Sequence, residues 1–498
     1  MTRNPHGLSR YDQLVQACIR PEHERPNPLP ATLGRLFPAN EVQLQNLTHK
    51  HLVEILEEVA LGMGKKTDKS GHAPAGMTFL GQFVDHDITL DATSALGTRI
   101  VPDTIPNVRT PSLDLDCVYG SGPEASPHLY GSGDVANFLV YGTAANPHDL
   151  ARTANGTALI GDPRNDENEI VSTIQANFIA LHNILMTEAL NSQDAYQEIM
   201  MCAKMGMSAN EWADHVPSHH EVFEAVRRFL RMHYQWVIWN ELLPGFVDQA
   251  YLDEARLNDL FGADSAIMPV EFTGAGYRFG HATTQPDYEV VSGGGQKDMF
   301  EILGFGPRQG TVQMARMFDL DGKQAQRARP VGPTLGEPLT RLHFIQDRVE
   351  LRDVDLTLTL EQSQNLPLRN MLRDRYTYKL VNGEQVAHWF KATHGRDLPK
   401  PAIHPTLKKK GITKTPLWLY CLQEAEECGN GKLTGVGGAI VAAVFARLLR
   451  LDRTTYWHAH GFKPSAKFAN DGGVMAGMMK HAETERDNIH AAEKLRNG

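Results

Sequence analysis

Cysteine is scarce. The five present, Cys18, Cys117, Cys202, Cys421 and Cys428, are odd in number and scattered, with no CxxC pair. That removes a disulfide framework and a thiolate zinc site, and leaves reduced thiols as the simplest reading. Long apolar runs are missing as well: the best candidate, residues 438–449, is short and contains Arg447, so no membrane span is expected. Nor is there an excess of positive charge, because 49 Lys and Arg stand against 59 Asp and Glu for a net charge of -10. Nucleic acid is therefore not an expected partner. Lys408, Lys409 and Lys410 form the one lysine run of note, and without interleaved aromatics it reads as solvated surface. The first residues, Met1-Thr2-Arg3-Asn4-Pro5-His6-Gly7-Leu8, lack the apolar segment of a secretory signal. The expected location is the cytoplasm, or outside the cell by a non-classical route. Internal repeats and low-complexity tracts are absent, and strand-like alternation is sparse.

What remains is a helical pattern of ordinary globular composition, 41% hydrophobic and 22% charged over 498 residues. Residues 1–40 carry Pro21, Pro26, Pro28, Pro30 and Pro38 and read as an extended arm. Residues 41–465 read as the catalytic domain and 466–498 as a surface tail. Helical spacing predicts helices over 43–63, 78–90, about 168–191 and 219–243. The fold class expected is mainly α with very little β. Thr110, Ser112, Asp114 and Asp116 recur at every second position, so an extended backbone would turn them to one side. The glycine-rich stretch 429–438 lacks P-loop spacing and a preceding strand, and reads as a turn into a helix. His182 and His233, on amphipathic helices, read as core or interface residues, and so do His219 and His220. Cys117 reads as a small buried hydrophobe.

The chain is organised around Gly81-Gln82-Phe83-Val84-Asp85-His86-Asp87. On a helix Gln82, Asp85 and His86 share one face, whereas Asp87 lies about 100° further round. The first face suits proton handling. The lone carboxylate of Asp87 needs a cation or donors. A single histidine on a partly apolar helix is more often a satisfied core residue, but Arg164 and His281 change the balance. The three together fit a redox metal ligated by one histidine, with a second histidine and an arginine on its open side. A neutral imidazole can take a proton from hydrogen peroxide and return it to the departing oxygen, while a guanidinium stabilises the developing negative charge.

Five motifs in order then resemble those of the animal-type haem peroxidases of the peroxidase-cyclooxygenase superfamily, in particular their bacterial, peroxinectin-like branch, over roughly residues 35–460. The resemblance implies a helical fold with haem b held between a distal and a proximal helix. It makes His86 the distal acid-base catalyst with Gln82 as pocket partner. In Arg164-Asn165-Asp166-Glu167 it implies the catalytic arginine and a glutamate able to esterify a haem methyl, as Asp85 also can. Tyr277-Arg278-Phe279-Gly280-His281 resembles the proximal motif, with His281 as iron ligand, and Asn370-Met371-Leu372-Arg373 the stretch whose asparagine bonds that imidazole. Arg278 and Arg373 are implied near the haem propionates. Asp87, Thr110, Ser112 (through its carbonyl), Asp114 and Asp116 are implied as a calcium site, and their hard oxygen donors suit that ion. The activity implied is reduction of hydrogen peroxide by way of a ferryl intermediate, with oxidation of small organic donors or halides.

The chain also departs from the family. Asn168 stands where the mammalian myeloid enzyme has a methionine bonded to a haem vinyl, so no sulfonium link can form. Arg278 stands three residues before His281, where cyclooxygenases and fatty-acid dioxygenases carry a radical tyrosine, and Tyr277 is one residue off on another helix face. The alternatives to a peroxidase are a haem fatty-acid dioxygenase and a peroxidase-fold adhesion or scaffold protein.

Overall fold

The computed structural model describes residues 33–40, 47–65, 69–89, 111–205, 216–262, 267–490 and 492–496. Among these the architecture is mainly helical, and the only sheets are three two-stranded ladders of two residues per strand. Helices form where the apolar spacing placed them: His49–Leu61, Ala75–Ile88, Glu169–Asn191 and His219–Val237. Their starts follow from local chemistry. Thr48, Asn168 and Ser218 each accept a backbone N–H of the first turn, and Ser218 with Glu221 completes a capping box.

The Glu169–Asn191 helix is the central strut. It is apolar and long enough to cross a membrane by composition, yet 94% of its apolar window is buried inside the protein, as expected of a helix hydrophobic all round in the middle of a large core. Phe178 on this helix stacks on Phe83 at 5.0 Å between ring centroids, and Tyr234 from the His219–Val237 helix meets Phe83 edge-on at 6.0 Å. Such aromatic pairs add about 0.5–1.5 kcal/mol each beyond their burial. Because Phe83 lies three residues before His86, they fix which way the histidine faces.

The structure departs from the sequence reading in several places. The segment from Ser112 to Asp116 is not extended: Leu115 is left-handed, with φ of 63°, and Asp116–Tyr119 is a short helix. Its backbone curls because Asp87 draws in the N–H groups of both Leu115 and Cys117. The tail is not a surface element either. Val474–Glu485 buries Met475, Met478 and Met479 in the same core as the rest of the chain. His182 and His233 are buried, whereas His219 and His220 are exposed. Of the arm, only residues 33–40 are described; Leu36 and Phe37 donate their N–H groups to buried Glu271, which seats this strap beside the segment leading to His281.

Candidate active site

One cavity of about 390 Å³ lies between the Ala75–Ile88 helix and the segment of His281, within the size range of small-molecule and cofactor sites. Gln82, Asp85, His86, Glu167 and Asn168 line one wall, and Thr273, Tyr277, Arg278 and His281 the other. The Tyr277 hydroxyl donates to the Gly81 carbonyl at 3.1 Å and ties the two walls together.

On the first wall, His86 is buried, and its Nδ1 lies 2.7 Å from Asn165 Oδ1. Nε2 faces the cavity, 3.8 Å from Glu167 Oε1. Burial, helped by the charge of Arg164, lowers the imidazole to about 4, so the ring is neutral at pH 7. Burial also raises Glu167 to about 7. Gln82 does not bond His86: its Nε2 donates to Glu167, and its Oε1 accepts from Asn168 Nδ2 at 3.2 Å. Asp85 lines the cavity and accepts from the Thr89 hydroxyl at 3.0 Å.

Arg164 stands close to His86 but is turned to the backbone. Its guanidinium donates to the carbonyls of His86 (3.0 Å) and Thr89 (2.7 Å) and pairs with buried Asp162 at 2.8 Å. Held there, it closes the last turn of the Ala75–Ile88 helix with positive charge at its C-terminal end. The Pro163–Asp166 turn that carries it is pressed into place by Gly161, where a Cβ would come within 2.3 Å of the Asp116 carbonyl oxygen. On its far side Asp166 receives both Arg152 and Arg308, and Arg152 also pairs with Asp149 at 2.8 Å. The Arg152 side chain is only 3% exposed and the two carboxylates hardly more. Arg152→Met is therefore expected to lower stability by about 3–5 kcal/mol, since it strands buried charge; denaturant midpoints check this, and a change under 1 kcal/mol would show the network to be expendable.

On the second wall, Phe272–Gly276 is a single π turn that passes into a 3-10 turn, Tyr277–Thr283. Wide turns of this kind re-aim side chains and often occur at functional sites. Burial and the charges of Arg278 and Arg373 lower His281 to about 3. Arg278 lines the cavity and donates to the Thr273 carbonyl at 3.1 Å. Arg373 opens the π turn that follows Leu366–Leu372. Asn370, on that helix, lies 3.3 Å from His281 Nδ1 through its Nδ2, while its Oδ1 is buried with no partner. Turning the amide over puts Oδ1 opposite Nδ1–H and leaves Nε2 with an open lone pair, the arrangement of a metal-binding imidazole. The turned amide would accept from the ring through Oδ1 and carry Nδ2 into the unpartnered position; an imidazole with an amide behind its Nδ1 and an open Nε2 is a donor set that fits the iron of haem.

The expected calcium residues fit less well. Asp87 is fully buried and accepts from Leu115 N (3.2 Å), Cys117 N (3.3 Å) and the Tyr234 hydroxyl (3.1 Å). Asp114 accepts Asp116 N at 3.3 Å and, with Asp452, faces the buried guanidinium of Arg231. The Ser112 hydroxyl donates to Asp452 at 3.2 Å. Among the described residues no three acidic, histidine or cysteine side chains converge as metal ligands, and Thr110 lies outside them.

Residues 93–318 match the family model of the animal haem peroxidases. The matched stretch holds Arg164, Glu167 and His281, while His86 and Asn370 fall outside it. No curated protein matches the chain. Among the solved structures that share the fold are the following two. Peroxidase A from Dictyostelium discoideum is 15% identical over 93% of both chains, with a TM-score of 0.53. A fatty acid alpha-dioxygenase from Arabidopsis thaliana is 13% identical over 94% of this chain and 79% of its own, with a TM-score of 0.55. The mainly helical fold is therefore consistent with that of the animal haem peroxidases, and the family model matches 226 of the 498 residues.

Sequence reasoning missed Asn165, Gln175 and the second task of Asn168. Each had a signal. Asn168 sits directly before an apolar periodic run, the position of an N-cap. Gln175 interrupts the apolar stripe of a helix that is buried all round, and a buried amide needs partners.

Proposed function

We propose that this chain is a haem-dependent peroxidase that reduces hydrogen peroxide and oxidises small organic donors or halides. The observation that carries the reading is a pair of histidines facing one cavity from opposite walls, one backed by an asparagine with an orphaned oxygen and the other kept neutral by burial. Haem, when bound, supplies the redox-active iron at which peroxide is reduced. His281 Nε2 would hold the iron, with Asn370 orienting the ring, and Arg278, in the cavity wall, and Arg373, whose charge acts on His281, would meet carboxylate groups of the cofactor. Across the cavity His86 Nε2 accepts the proton of peroxide and returns it to the departing oxygen. Glu167 lies within a water's reach of the same atom, and Asp85 and Glu167 are the two carboxylates open to ester links. Arg164 contributes positive charge beside His86 and holds the end of its helix.

The absorption spectrum of the purified, haem-supplied protein tests the reading. A Soret band that shifts on one equivalent of hydrogen peroxide and returns on adding a phenol is expected; a protein that takes up no haem, or haem inert to peroxide, would count for a scaffold. The rate with peroxide should fall as pH drops through about 4, by roughly tenfold per pH unit, since protonated His86 can no longer accept a proton. A second inflection near 7 should disappear in Glu167→Gln. The reading includes a calcium ion at Asp87, Thr110, Ser112, Asp114 and Asp116: elemental analysis should find it, and chelation should lower thermal stability. Unchanged melting with no bound calcium would remove the ion from the scheme.

A second reading, a fatty-acid dioxygenase, is favoured by the apolar rim of the cavity, where Leu303, Leu339, Leu342, Leu366 and the 60%-exposed Phe344 gather. Oxygen uptake with an unsaturated fatty acid in the absence of peroxide would select it.

A further inference from the structure

Behind His86 runs a chain of hydrogen bonds that none of the roles above requires. The ring Nδ1 meets Asn165 Oδ1 at 2.7 Å, Asn165 Nδ2 meets Gln175 Oε1 at 2.8 Å, and Gln175 Nε2 meets the Cys117 carbonyl at 3.1 Å. Asn165, Gln175 and Cys117 are 0% exposed, so water does not compete for any link. The direction of the chain is dictated from its far end. A carbonyl oxygen can only accept, so Gln175 must present Nε2 to Cys117 and Oε1 to Asn165. Asn165 must then present Nδ2 to Gln175 and Oδ1 to the imidazole. An amide oxygen also only accepts, and therefore Nδ1 must carry the ring proton. Reversing the ring tautomer would set a bare Nδ1 against Asn165 Oδ1, or turn both amides and set Gln175 Oε1 against the Cys117 carbonyl, and in each case two acceptors face each other in a dry site.

We infer that Asn165, backed by Gln175 and the Cys117 carbonyl, is the positioning residue that locks His86 in its Nδ1–H tautomer and keeps the Nε2 lone pair in the cavity. The role rests on the peroxidase reading for its purpose, since only a proton acceptor at Nε2 benefits, but the tautomer itself is a property of the chain without cofactor. The same short turn thus grips His86 twice. Arg164 holds its backbone carbonyl, and the next residue, Asn165, holds its ring. Cys117 closes the circuit, because its own N–H is bound by Asp87, the neighbour of His86 on the helix.

The test is a long-range proton–nitrogen NMR correlation on cofactor-free protein labelled with nitrogen-15 at its 22 histidines, with the His86 signals identified by their loss in His86→Gln. The inference expects an Nδ1–H pattern for His86 in the wild-type chain; an Nε2–H pattern overturns it with no variant needed. In Asn165→Ala the pattern should become a mixture of tautomers, and in Asn165→Asp, which still offers an acceptor to Nδ1–H, the single form should return. An Asn165→Ala protein that keeps the pure Nδ1–H form overturns the inference. Gln175→Leu, which removes only the backing amide, serves if Asn165→Ala does not fold, and is expected to loosen the tautomer as well; a pure Nδ1–H form there equally overturns the locking role. In the haem-loaded protein Asn165→Ala should slow the reaction with peroxide by about 10–100-fold, the usual effect of losing an outer partner. If the tautomer shifts as expected but the loaded protein is inert to peroxide, the lock stands and the peroxidase reading fails.

Discussion

His281→Ala is expected to abolish stable haem binding. Two imidazoles line the cavity, each with an asparagine behind its Nδ1, and His281→Ala takes the donor atom away from the second wall while leaving His86 and Asn165 in place. The change should exceed the roughly 10–100-fold loss of metal affinity that follows removal of an outer partner, so Asn370→Ala provides the graded comparison. The measurement is haem titration followed in the Soret region, with far-ultraviolet circular dichroism confirming that the helices remain. Truncating a side chain that lines a cavity leaves most of the core contacts in place, so the protein should stay folded. An unaltered haem spectrum in His281→Ala would rule out axial ligation by this residue and undo the assignment of the second wall.

The companion expectation concerns His86→Ala, which should keep haem but slow the reaction with peroxide by about 10²–10⁴-fold, the range for loss of a positioned acid-base group. The reason is specific to the geometry. Nε2 of His86 opens on the cavity, burial keeps the ring neutral, and the carboxyl that stands 3.8 Å from that atom, Glu167, is itself raised to about 7 and tied to Gln82. Glu167 therefore cannot fully replace the imidazole. Stopped-flow absorbance with a range of peroxide concentrations reads the rate directly, and a rate equal to that of the unaltered protein would take His86 out of the proton path. Arg164→Ala should behave differently. Besides removing charge, it releases the carbonyls of His86 and Thr89 and takes the guanidinium away from buried Asp162, so a loss of stability should accompany its loss of rate.

The helices were legible because burial on a helix needs a repeating apolar stripe, and that stripe is local. Ile170, Ile174, Phe178, Leu181, Leu185 and Ala189 announce the Glu169–Asn191 helix. The site was legible in kind for a similar reason: imidazole, guanidinium and carboxylate are few and their chemistry is narrow. Partners were not. Gln82 lines the same cavity as His86, but its hydrogen bonds go to Glu167 and Asn168. Arg164 was expected to face the open side and instead spends its hydrogen bonds on backbone far away in the chain. The run from Ser112 to Asp116 carried an alternating pattern that suits a strand, but Asp87 supplies acceptors that only a curled backbone can reach. The methionines of the tail looked exposed because alternating charges surround them, yet the apolar face of Val474–Glu485 packs against the central helix.

By itself, then, the amino-acid sequence determined the element types, the mainly helical class and the set of chemically capable side chains, since propensity, periodicity and functional groups reside in single residues and near neighbours. Only the tertiary structure decided which polar groups meet. A hydrogen bond between His86 and Asn165, or between Asn370 and His281, joins residues about 80 and 90 positions apart, and its direction depends on acceptors further off still, such as the carbonyl of Cys117. Water satisfies such groups in the unfolded chain. Once burial removes that water, every donor and acceptor must find a partner among whatever the packing of the helices brings within reach, and that choice gives His86 its tautomer and His281 its orientation.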